Sequence, residues 1–214
     1  VNINFMTKAI IFDLDSCLAA ANEVGDELFS TAFAAIRSAN RGAVTESALR
    51  EALAECWLCA FDLIATKYQF SEAMRNAGWQ AFRQTEVAQP MYGYGDLNVL
   101  KELPGQLFLV TSGFRRLQES KVKALRLDDI FAAIYVDAID EPERRGKYRI
   151  FKELLAKYGL HRNEVLVVGD NPDSEIEAGN RLGMKTIQIL RLGVTSSANA
   201  KAHIHNLHEL KALL

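Results

Sequence analysis

The segment "AIIFDLDSCL" (9–18) sets two carboxylates, Asp13 and Asp15, one residue apart directly after an apolar run. Two further apolar runs end in groups of related chemistry. "QLFLVT" (106–111) delivers Thr111, followed by Ser112 and Gly113, and "EVLVVG" (164–169) delivers Asp170. Carboxylates gathered in one place repel each other and lose hydration, so such a cluster calls for a cation. Hard oxygen ligands completed by water suit Mg²⁺.

The elements that must position these groups follow from periodicity. Short β-rich runs recur at "KAIIF" (8–12), "QLFLVT" (106–111), "IYVDAI" (134–139), "EVLVVG" (164–169) and "KTIQIL" (185–190). Between them lie helical patterns, such as Leu117, Lys121, Ala124 and Leu125, then Ile150, Leu154, Leu155 and Tyr158. Continuous apolar strands alternating with helices predict an α/β fold with a doubly wound parallel sheet covered on both faces. Ligands of such sheets bind beyond the carboxyl ends of the strands, where the acids and hydroxyls fall.

Residues 19–90 break this alternation. Leu28, Ala32, Ala35 and Ile36, then Leu49, Leu53, Cys56, Ala60 and Ile64, recur at helical spacing. Thr45 and Ser71, each followed by Glu, read as N-caps. The expected organisation is therefore an α/β core at 1–18 and 91–214, with a small all-helical unit at 19–90. The Pro and Gly residues of "PMYGYGDLN" punctuate the return to the core.

Composition narrows the classes of function. The chain has 214 residues, 49% of them hydrophobic and 24% charged, with a formal net charge of −2. That balance offers no basic field for nucleic acid. No apolar run approaches the roughly 20 residues needed to cross a bilayer, and "VNINFMTK" lacks the pattern of a secretory signal, so a cytoplasmic address is expected. Three cysteines are too few for a disulfide framework. "CWLC" (56–59) falls in a helical apolar pattern without a second Cys/His pair and reads as packed thiols. His203, His205 and His208 cross from a strand into a helix and read as surface residues.

In order, "DLDSC" (13–17), "LVTSG" (109–113), Lys147 and "VVGDNPDSE" (167–175) resemble the four motifs of the haloacid dehalogenase-like hydrolases, which are mostly phosphatases. The resemblance spans nearly the whole chain and implies a Rossmann-like core with a helical cap inserted after motif one. It implies that Asp13 attacks phosphorus to give an aspartyl-phosphate, while Asp15 protonates the leaving oxygen and then activates water. Mg²⁺ would be held by the Asp13 carboxylate, the Asp15 backbone carbonyl and Asp170, with Glu175 or Asp173 orienting metal-bound water. Thr111 and the amides around Ser112 and Gly113 would bind the phosphoryl oxygens, and Lys147 would offset their charge.

Departures from the pattern leave some roles open. The lysine in "RRGKYRIF" is not followed by proline, so Lys121 competes with Lys147 as the motif-three cation. Taken alone, Thr111 and Ser112 would serve to cap the helix beginning near Phe114. Cys17 stands where the family usually has Thr or Val and reads as packed beneath the loop. Asp15 argues against dehalogenation, which needs no acid for an alkoxide leaving group. The expected substrate is a small phosphorylated metabolite, selected by cap residues such as Glu23, Trp57, Phe61 and Trp79, in a monomer or homodimer. A phosphosugar mutase and a non-catalytic phosphate-binding module are the alternatives.

Overall fold

The computed structural model describes residues 7–214; the expected core boundary at residue 1 and the first six residues of "VNINFMTK" lie outside them. Six parallel strands form one sheet in the order β3-β2-β1-β4-β5-β6. They are β1 (Ala9–Phe12), β2 (Gln106–Gly113), β3 (Ala133–Ala138), β4 (Val165–Gly169), β5 (Lys185–Ile189) and β6 (Ala202–Ile204). The five β-rich runs account for β1 to β5. The three-residue β6 is too short to announce itself by alternation.

Alternation along each strand divides the core in two. Ile10, Phe12, Leu107, Leu109, Leu166 and Val168 face one side, where α5 (Arg115–Ala124) and α8 (Leu207–Leu213) bring Leu117, Val122, Leu207 and Leu210. Ala9, Ile11, Phe108, Val110, Val165 and Val167 face the other, against Ile150, Phe151 and Leu154 of α6 (Gly146–Tyr158) and Ala178 of α7 (Glu177–Leu182). Because both faces are covered, the two central strands, β1 and β4, carry no polar side chain.

Before β2 lie α1 (Ser30–Ala39), α2 (Glu46–Glu55), α3 (Phe61–Lys67) and α4 (Glu72–Gln84). The expected caps are in place: Thr45 Oγ1 accepts the Ala48 N–H and Ser71 Oγ accepts the Met74 N–H, each at 3.3 Å. One expectation needs correction. The periodic run from Leu49 to Ile64 is not one helix, because the chain turns at Trp57–Ala60 between α2 and α3, and "CWLC" forms that turn. Tertiary packing overrides the pattern. Trp57 leaves the helix to stack on Phe29 with ring centroids 4.0 Å apart, and Glu55 at the end of α2 binds Lys67 and Tyr68 at the end of α3.

The helical unit packs onto the core through aromatic rings, with Phe82 stacked on Phe114 and Trp79 meeting the same ring edge-on. The two chain crossings between unit and core run side by side. Glu23 accepts the N–H groups of Tyr92 and Gly93 at 2.5 and 3.0 Å, and the Tyr94 N–H donates to the Leu18 carbonyl. Gly93 has φ +68, and a Cβ there would overlap the Leu18 carbonyl oxygen, so this close crossing requires glycine.

A buried ion pair fixes the return crossing. Arg191 binds both oxygens of Asp96 at 2.9 and 3.0 Å and also donates to the carbonyls of Cys17 and His205, while Asp96 accepts the Leu207 N–H of α8. Arg191→Lys keeps the charge but loses the planar fork. It is expected to cost about 2 kcal/mol of stability, read as a lower denaturant midpoint at unchanged slope.

Candidate active site

The strand order reverses between β1 and β4, opening a crevice beyond their carboxyl ends. Phe12 pairs with Val168, so Asp13 and Asp170 leave adjacent strands within one residue of the same level, and the Asp13 N–H donates to Val168 O at 3.0 Å. On the other flank, β2 runs on past the end of β1, and Thr111 and Ser112 register with Val136 and Asp137 of β3. A cavity of about 460 Å³ follows, lined by Asp13, Asp15, Thr111, Lys147, Asp170 and Glu175 among others. Ser112, Gly113, Lys121 and Asp173 border the same cavity.

Charge is concentrated at its floor. Lys147, at the second position of α6, reaches Glu175 Oε2 at 2.8 Å and lies 2.8 Å from Asp13 Oδ1. The Asp13 contact is close but poorly aligned, so Oδ1 is buried without a hydrogen bond. Burial pushes the Asp13 carboxyl up to about 7; Lys147 opposes the rise, and Glu175 and Asp15 add to it. Burial likewise raises Asp170 to about 8, with Glu175 and Asp13 adding to the shift. Burial alone would lower the Lys147 ammonium, but Asp13 and Glu175 outweigh it and hold the group above its ordinary range.

One lysine thus faces three acids. Single oxygens of Asp13, Asp170 and Glu175 all lie within 4.8 Å of one another. Three clustered carboxylates sharing one ammonium, a set of hard oxygen donors, fit a divalent cation of the Mg²⁺ kind. The Glu175 oxygens already accept from Lys147 and from the Asn171 N–H at 2.7 Å. Gly169 leaves the space for this side chain, since a Cβ there would overlap the Glu175 carboxylate. Asp173 is exposed, and its N–H donates to the capping Asn171 side chain. The chain after Asn171 forms a wide π-type turn, Pro172–Ile176, which leads into α7.

The Asp15 carboxylate is held apart from that cluster. Lys121 binds its Oδ1 at 2.6 Å and Gln118 Nε2 donates to its Oδ2 at 3.1 Å. Ser16 beside it has φ +56, unusual for a non-glycine residue, as the loop bends sharply back toward Ala19. Lys121 is buried rather than solvated, so the two lysines do not compete for one position: each serves a different aspartate.

The hydroxyls are also committed. Thr111 donates to Gln118 Oε1 at 3.0 Å and Ser112 donates to Asp137 Oδ2 at 3.1 Å. Neither caps α5, whose first N–H, on Arg115, donates to Asp140 Oδ1. Gln118 packs closely against Gly113, leaving no room for a Cβ there. Asp137 accepts from Ser112, Arg144 and the Gly146 N–H, which joins the phosphate-loop candidate to the start of α6. Gln118 and Asp137 have no motif of their own. The available signal for Asp137 was a lone acid inside an apolar strand.

The remaining candidates separate. Cys17 is fully buried and packed, and burial holds its thiol well above the ordinary range. Burial also raises Cys56 to about 12, and Cys59 is raised as well, so neither thiol of "CWLC" ionises readily. Trp57 and Phe61 line the cavity, whereas Trp79 packs behind it. Glu23 anchors the crossing described above and does not border the cavity, which corrects its expected role in substrate contact. His203 and His205 are exposed on β6 and just after it.

Comparisons with known proteins agree with this architecture. The haloacid dehalogenase-like hydrolase model matches residues 7–183. A glyceraldehyde 3-phosphate phosphatase of Methanopyrus kandleri is 26% identical over 205 residues, covering 87% of this chain and 85% of that protein. One of Pyrococcus abyssi is 30% identical over 115 residues, and there the match spans 52% of this chain and only about half, 48%, of the relative. Among solved structures, a HAD phosphatase from Thermococcus onnurineus superposes with a TM-score of 0.63 at 20% identity, covering 96% of this chain and 97% of the other, which speaks to the fold. With its sheet order, its acid-lined crevice and this match over most of its length, the chain belongs to the haloacid dehalogenase-like hydrolases.

Proposed function

We propose that this chain hydrolyses small phosphomonoesters, with Asp13 as the nucleophile. The observation that carries the reading is the segregation of two aspartates a single residue apart. Asp13 sits in the cation-demanding cluster with Lys147, Asp170 and Glu175, and Asp15 sits apart with Lys121 and Gln118. Separate environments suit separate roles.

An Asp13 carboxylate oxygen attacks phosphorus and the ester P–O bond breaks, leaving an aspartyl-phosphate and an alkoxide that takes a proton from Asp15. Asp15 then removes a proton from water, the water attacks phosphorus, and cleavage of the acyl-phosphate bond regenerates Asp13. Lys147 and the amides of Ser112 and Gly113 balance charge on the phosphoryl oxygens. Mg²⁺, held by the carboxylates of Asp13 and Asp170 and the Asp15 backbone carbonyl, with Glu175 beside it, would supply further neutralisation of that charge. Lys121 and Gln118 keep Asp15 aimed at the leaving oxygen, and Asp137 ties Ser112 to the turn that presents Lys147.

The relatives named as phosphatases support phosphoryl chemistry over dehalogenation, as does an acid at position 15. The test is phosphate release from phosphomonoesters with Mg²⁺, stopped by a chelator and restored by added metal. Asp15→Asn should lower steady-state turnover about 10²- to 10³-fold while an acyl-phosphate accumulates after mixing with an activated aryl ester. Turnover that is indifferent to chelation, or an Asp15→Asn enzyme with full turnover, would count against the scheme.

A further inference from the structure

The cavity has two chemically opposite halves. Its floor carries the acids, lysines and hydroxyls described above. Its roof, contributed by residues 19–90, consists of apolar side chains and two thiols: Phe29, Trp57, Leu58, Phe61, Leu63 and Phe82, with Ala21, Ala60, Cys56 and Cys59 between them. Charged side chains in the lining come from the core. Arg144, which reaches the helical unit, is already paired with Asp62 of α3 and Asp137 of β3.

We infer that the phosphomonoester this site selects carries an apolar leaving group, an aryl-alkyl or branched-alkyl alcohol, rather than a polyol or sugar. The inference rests on the phosphatase reading and adds the substrate class to it. With phosphate on the floor, the ester oxygen points toward the roof, and whatever follows that oxygen meets rings and leucines. Phe29 stacks on Trp57 and Phe82 stacks on Phe114, so the rings support one another and the apolar surface is formed without a ligand. Leu58 and Leu63, 71% and 56% exposed, stand at the rim where an apolar ligand would cover them.

A polyol would fare worse there. Its hydroxyls would give up water and find the Trp57 indole N–H and two weakly polar thiols as the only side-chain partners on the roof. A site built to read hydroxyls carries polar side chains aimed at them, and this roof carries none that is charged. The preference therefore differs from that expected of an enzyme for triose or sugar phosphates, although the floor chemistry is the same.

The test compares two primary alkyl esters whose departing oxygens are alike, 2-phenylethyl phosphate and glycerol 1-phosphate. With Mg²⁺, kcat/KM is expected to favour the phenylethyl ester by about 30-fold or more. Calorimetry on the Asp13→Asn protein, with the same two esters, should give the same order of affinity. Leu63→Gln, at an exposed position, should narrow both ratios about three- to five-fold.

A ratio near one, or one favouring the glycerol ester, overturns the inference. So does an unchanged ratio in Leu63→Gln combined with Trp57→Ser. If the Asp13→Asn protein prefers the phenylethyl ester but the wild type releases phosphate from neither, the apolar pocket stands and hydrolysis fails. Equal release from both esters leaves hydrolysis standing and sinks the pocket.

Discussion

Asp13→Asn is expected to reduce phosphate release about 10⁴-fold or more, because the amide keeps the shape of the side chain and removes the nucleophile. The same exchange should leave the metal-free protein at least as stable as the wild type at pH 8. Asp13 is a buried acid whose charged form is disfavoured by burial, and Lys147, its ion-pair partner, keeps Glu175 as a counter-charge in the variant. A variant that turns over within ten-fold of wild type would remove Asp13 from the nucleophile's place. One that is inactive and also grossly destabilised would mean that the carboxylate is structural.

The pH dependence of stability gives an independent reading of the same residue. The folded-state value, about 7, lies above the unfolded value near 3.8, so the folded protein holds a proton that the unfolded chain has already released. Stability of the metal-free protein should therefore fall as pH rises through this interval. Asp170, raised to about 8, extends the fall upward. Asp13→Asn flattens part of the slope. A divalent ion bound by the ionised acids should raise the melting temperature more at pH 8 than at pH 5, and equal shifts would speak against these ligands.

The sheet was legible because strands buried on both faces need no alternation and are written as plain apolar runs, such as "AIIF" and "VLVVG". The helix boundary at Trp57 was not legible, because a stacking contact with Phe29, 28 residues earlier, decides it. Within the site, the charged residues stood out by type and by their place after strands. Their partners did not. Gln118 is neutral and helical, and its dual contact with Thr111 and Asp15 exists only once α5 is docked. Glu23, close after the first motif, invited a role at the substrate; in the fold its two oxygens are taken by backbone amides of the return crossing. The apolar roof was equally hidden, since aromatic residues of a helical unit read as its core, and only packing distinguishes Trp57 at the cavity from Trp79 behind it.

Lys147→Met should separate the structural and catalytic uses of the buried cluster. Removing the ammonium leaves Asp13 and Glu175 as buried acids without their counter-charge, in side chains 10% and 1% exposed. The expected cost is about 3–5 kcal/mol in metal-free protein at pH 8, with turnover down by about 10²- to 10³-fold. The loss should shrink toward pH 5, where Asp13 takes up a proton. Lys121→Met offers the contrast, because its partner Asp15 is 25% exposed and water can take over part of the lost contact. Its stability cost should stay near 1–2 kcal/mol. Adding Glu175→Gln to Lys147→Met removes one orphaned charge and should recover about half of the lost stability, without recovering turnover. Full recovery of both would mean that Lys147 serves only to neutralise Glu175. Recovery of stability alone is what a lysine shared between a structural acid and a reacting phosphate requires.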